Sequence, residues 1–169
     1  MNNVPRRTLF GIFFISLSNI MLELVLTRIF SVTMWYHFAF VAISLALLGS
    51  GASGVFIYLL GHRFPPEKTM LRLAWLALAF SVSVLVSFVV HLGIPFIPRV
   101  SLAGLTSIAL IYIVIGVPFF IGGACLSLAV SRLTNQVSKI YFSDLVGASI
   151  GCILFILVLN ISSGPNAII

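Results

Sequence analysis

Residues 102–131, LAGLTSIALIYIVIGVPFFIGGACLSLAVS, decide how many times this chain crosses a membrane. The stretch holds no Asp, Glu, Lys or Arg. As one helix it is roughly 45 Å long, more than a perpendicular span needs. It is too short for two spans and a turn. Pro118, preceded by Gly116 and followed by Gly122 and Gly123, offers a kink that lets one long helix bend or tilt. Four further apolar runs surround it, at 8–32, 37–60, 71–91 and 141–159. Each meets the length of about 20 mainly apolar residues that a spanning helix requires.

Basic residues arbitrate between one span and two. With five spans and a cytoplasmic N-terminus, Arg6, Arg7, Arg63, Lys68, Arg72, Arg132 and Lys139 all fall inside. Arg99 alone falls outside, and Arg28 sits near the outer end of the first span. Splitting 102–131 moves Arg132 and Lys139 outside and erases that bias. The expected fold is therefore an all-α polytopic membrane helix bundle of five spans. Trp35, Tyr36 and Phe38 suit an aromatic belt at the first outer turn. The first run follows Arg6-Arg7 like a signal peptide. It continues past Glu23 to Val32 with no small-residue cleavage site, and reads as a retained anchor. The segment ISSGPN (161–166) is a turn, with Pro165 placed to open a sixth helix. The sequence reads either as a short protein with a frayed end or as the front of a longer one.

Composition agrees. Of 169 residues 61% are hydrophobic and 7% charged, against roughly 25% charged in soluble domains. This excludes a soluble enzyme, a disordered tail and a nucleic-acid binder. The net charge of +6 reports topology and contact with membrane lipid. No linker or compositional break appears, so 1–169 reads as a single transmembrane domain without a soluble one. Cys125 and Cys152 lie in apolar runs and read as buried thiols.

Glu23 is the acid in the middle of a span. Ser16, Asn19, Glu23 and Thr27 recur at helical spacing and share one face. A polar stripe at membrane depth faces protein or a wet cavity. It reads either as a ligand- or proton-binding wall or as a helix-packing contact. Arg28 stands about 140° around the helix from Glu23 and is a poor partner for it. Arg28, His37, His91 and Arg99 form the outer titratable set; two lone histidines make a weak metal site, and none is expected. Asp144 opens the fifth run, where it complements the helix dipole or pairs with Lys139. The ligand or proton-linked candidates are thus Asn19, Glu23, Thr27, Arg28, His37 and Asp144. Ser143, Gly147 and Gly151 form a small-residue ladder, and Gly49, Gly51 and Gly54 form a similar patch. These predict that the second and fifth helices pack closely on neighbours. Phosphate-binding loops, dinucleotide fingerprints, nucleophile elbows and haem-attachment motifs are missing from the sequence. No cofactor is expected, and catalysis by these residues alone is not.

The blocks ELVLTRIFS (23–31), WYHFAF (35–40), AISLALLGSGASG (42–54) and YFSDLVGASIG (141–151), leading to Gly164-Pro165-Asn166, resemble the N-terminal transmembrane region of bacterial membrane-bound spermidine synthase-like proteins. The resemblance implies a helical domain like half a major-facilitator transporter, in a bacterial inner membrane. It also implies a soluble aminopropyltransferase-like domain downstream, which carries the chemistry in that family. That domain is not in this sequence, and the resemblance assigns no chemical role to Glu23, Arg28, His37 or Asp144.

Three functions follow as expectations. The chain is a non-catalytic membrane domain that anchors other protein, an accessory subunit of a larger membrane complex, or a transporter half for a polyamine-like cation. Other membrane chains or self-association are expected as partners, and nucleic acid is not. The expected topology sets Glu23 and Asp144 at opposite ends of the membrane, which weakens the cation reading.

Overall fold

The computed structural model describes residues 5–33, 38–61, 66–94 and 101–161. Among these the chain is all-α. Five long helices follow in order: α1 (Arg6–Thr33), α2 (Ala39–Leu59), α3 (Thr69–Gly93), α4 (Leu102–Arg132) and α5 (Val137–Ile161). Single 3₁₀ turns at Pro66–Lys68 and Thr134–Gln136 lead into α3 and α5. All five helices are long and apolar enough to cross a membrane. Large apolar side chains stand exposed along them, among them Leu47, Trp75, Leu85 and Phe142, as lipid-facing helices require.

The stretch 102–131 is one helix, which continues through a buried Pro118. Proline leaves the Val114 carbonyl without its usual donor, and a helix that packs on neighbours tolerates that loss. α1, α3 and α5 overrun their apolar runs by up to four residues, whereas α2, Ala39–Leu59, stays within the predicted 37–60. The largest difference is at α5, which starts at Val137 where hydropathy alone predicts 141. The extra turn holds because Ile140 is 1% exposed and ties it into the packing.

The helices fall into two compact units. The first holds α1, α5 and the opening residues of α2. Here Gly147 faces the Phe13 carbonyl so closely that a Cβ would collide with it. Four residues on, a Cβ at Gly151 would lie 2.8 Å from the Leu17 carbonyl oxygen. Because 13 and 17 pair with 147 and 151 in rising order, α1 and α5 run parallel. The second unit holds α3 and most of α2 and α4. Gly49 of α2 sits against α4, with a Cβ position 2.8 Å from Phe119 Cβ. Gly123 of α4 sits against α2, with a Cβ position 2.7 Å from Ser50 Cα. These pairings also rise together, so α2 and α4 run parallel.

The glycine predictions need two corrections. Gly51 has open space around it, because it turns away from the α2 face that carries Gly49. Gly54 is in ordinary contact only, 3.6 Å from the Ser127 hydroxyl. Gly123 takes the close approach instead. Cys125 is buried, with its thiol 3.8 Å from the Leu73 carbonyl, but Cys152 is exposed. One residue past Gly151, it is turned about 100° off the α1-facing side.

Gly147→Leu forces α1 and α5 apart and is expected to lower stability by about 1–3 kcal/mol, the cost of overpacking. Gly11→Leu, in open space on α1, is expected to change little. Thermal unfolding of both variants in the same detergent checks the contrast.

Candidate functional site

The polar face of α1 and the start of the α5 glycine ladder meet at one point. Ser16, buried in the first unit, donates its hydroxyl to the Asp144 carboxylate. The bond depends on the glycines. Gly147 lies one turn beyond Asp144 on the same side of α5, and its missing side chain lets that face reach α1. A charge-assisted hydrogen bond is stronger than a neutral one, and lipid surroundings offer no water to replace it.

This placement corrects three expectations for Asp144. It stands about two turns inside α5, not in its first turn, because the helix begins at Val137. The helix dipole therefore does not account for it. Nor does Lys139, which is exposed and makes no ion pair with it among the described residues. Finally, Asp144 and Glu23 are not at opposite ends of the membrane. Seven residues separate Ser16 from Glu23 on one face of α1, a rise of roughly 10 Å.

The remaining candidates differ from one another. Asn19 has a buried side-chain oxygen with no hydrogen-bond partner among the described residues. Glu23, one turn further along, is half-buried and its carboxyl also lacks a partner among the described residues. Thr27 spends its hydroxyl on its own helix, donating to the Glu23 carbonyl at 2.7 Å. Arg28 is exposed and forms no ion pair with Glu23. His37 lies outside the described residues, as do Trp35, Tyr36, Arg63, Arg99 and the 162–166 turn. His91 is buried near the C-terminus of α3, where its backbone carbonyl accepts the Ile94 N–H. Ser143 is half-buried and lines a groove beside α1. Among the described residues, no group of three or more His, Cys, Asp or Glu side chains could hold a metal ion.

Two acceptors on this face are left open. Asn19 Oδ1 and the Glu23 carboxylate are acceptors, and no donor side chain answers them among the described residues. A group that supplies protons to both, such as an ammonium or a donor from another chain, matches the arrangement. The Ser16–Asp144 link is not legible in either helix alone, because it depends on how α1 and α5 are set against each other. The signal was present in two patterns of matching spacing, one polar on α1 and one small on α5.

Comparison of the chain with protein-family models, curated proteins and solved structures finds no match.

Ser16→Ala strands the Asp144 carboxylate and is expected to cost about 1–3 kcal/mol. Adding Asp144→Leu removes the stranded charge and is expected to restore part of that loss. Unfolding titrations of the wild type, both single variants and the double variant measure the coupling.

Proposed function

We propose that this chain is a non-catalytic integral membrane domain or subunit that docks onto other membrane protein, in the manner of the membrane part of spermidine synthase-like proteins. The single observation that carries the reading is the outer face of α2. Gly51 and Ala52 are exposed there between Leu48 and Val55, and all four share one helical face. Leu48 and Ala52 also line an apolar groove of about 390 Å³, completed by Gly49, Tyr112, Gly116 and Phe120. Small residues on membrane helices let a second helix approach closely enough for dispersion to hold it. The glycines of α5 do not serve this purpose, because α1 occupies them. An accessory subunit of a larger complex is the same reading with an independent chain as the partner.

We place the chain in the bacterial inner membrane with its N-terminus in the cytoplasm. The distribution of Lys and Arg supports the orientation, and so does the position of Arg6 and Lys139 around one groove at one end of the first unit. The family resemblance supports the membrane type.

A second reading, a conduit for a polyamine-like cation, is favoured by one observation. Glu23 and Asp144 stand about 10 Å apart along α1, a spacing an extended polyvalent amine can bridge. The orphaned Asn19 oxygen beside Glu23 adds an acceptor for an ammonium.

Gly51→Leu projects into open space, so it is expected to leave folding intact while abolishing co-purification of the partner chain in mild detergent. Intact mass of every chain in the particle reads the outcome, with Gly11→Leu as the control. For the conduit, Glu23→Gln is expected to reduce spermidine uptake into proteoliposomes to background at unchanged expression. Uptake at the wild-type rate removes that reading.

A further inference from the structure

A groove between α1 and α5 combines apolar walls with two cations at one end. Its volume is about 530 Å³, within the range of small-ligand sites. Leu9, Phe10 and Phe13 of α1 and Phe142 and Val146 of α5 make its walls apolar. Arg6 and Lys139 line it too, both exposed and neither in an ion pair among the described residues. Arg6 is the first residue of α1, and Lys139 lies in the first turn of α5. The two cations therefore sit together at one end, where parallel helices meet the membrane surface. Among the described residues no carboxylate lines the groove; Asp144, the acid on α5, is engaged by Ser16.

From this we infer a binding site for an anionic phospholipid, with its headgroup phosphate between Arg6 and Lys139 and its upper acyl chain against Phe10, Phe13 and Phe142. The apolar walls select a lipid over a free phosphate, because a small anion leaves them uncovered. The paired cations select an anionic headgroup, because the amine of a zwitterionic lipid meets two like charges. Ser143 adds a hydroxyl that can donate to a phosphate or glycerol oxygen. The site's depth is set by the close approach at Gly147, which holds the Phe13 backbone against α5. From Arg6 to Phe13 the wall descends roughly 10 Å, from headgroup level into the acyl region.

The test is native mass spectrometry of the intact protein, with phosphatidylglycerol and phosphatidylcholine of identical acyl chains. The wild type is expected to retain phosphatidylglycerol preferentially. Each of Arg6→Gln and Lys139→Gln is expected to weaken that retention roughly fivefold, the effect of one cation near an anionic headgroup. Arg7→Gln removes a neighbouring charge that does not line the groove and is expected to leave retention unchanged. Val146→Trp, which fills the apolar part, is expected to reduce retention with all cations in place. Equal retention of the two lipids overturns the inference. So does an Arg7→Gln loss as large as that of Arg6→Gln, which marks a diffuse surface charge. Competition by soluble glycerol phosphate as effective as that by the lipid also overturns it, because the acyl wall then contributes nothing.

Discussion

The first unit depends on the close approach of α1 and α5. Lipid tails are as apolar as leucine, so burial of apolar surface does not draw membrane helices together. Dispersion and hydrogen bonds must do so, and both act only at short range. Gly147 and Gly151 provide that range by placing no side chain against the carbonyls of Phe13 and Leu17. Several consequences follow from this seam. It sets the parallel register, brings the Asp144 carboxylate to the Ser16 hydroxyl, and aligns the helix starts so that Arg6 and Lys139 share a groove. Opening the seam by the width of one side chain removes all three.

The second unit uses the same device with its parts exchanged. Gly49 of α2 meets Phe119 of α4, and Gly123 of α4 meets Ser50 of α2, so each helix contributes one gap. Pro118 is tolerated within this contact region, one residue before Phe119. Elsewhere along the spans hydroxyls are satisfied locally, as where Ser83 donates to the Phe80 carbonyl and Ser149 to the Leu145 carbonyl. Such back-bonding hides a polar group from lipid without any partner helix. A carboxylate cannot do this, because it has no proton to give, and Asn19 leaves its Oδ1 without a hydrogen-bond partner among the described residues. Glu23 and Asn19 therefore stand out from the serines and threonines around them.

Much of the architecture was legible because membrane length and charge placement constrain it directly. An uncharged run of 30 residues with Arg132 behind it reads as one helix, and α4 is one helix. Hydropathy places the start of α5 four residues late, since Ser138 and Lys139 interrupt the apolar run while Ile140 anchors the turn. A start at 141 would put Asp144 in the first turn of α5, whereas it lies about two turns inside it. Glycine roles were legible only as a class. Gly49 and Gly51 are two residues apart and identical in composition, yet one is pressed against Phe119 and the other faces open space. Which side of a helix faces a neighbour is not written in a helix that is apolar all round.

The sequence by itself determined the helical class and the five helices long and apolar enough to cross a membrane. Each follows from a property that sums along the chain: hydropathy over about 20 residues, or charge over a loop. Tertiary structure decided which glycines are close contacts, that Ser16 is the partner of Asp144, and that two distant basic residues flank one groove. These depend on the rotation and register of one helix against another, at a resolution of a single residue. No sum over the chain contains that information.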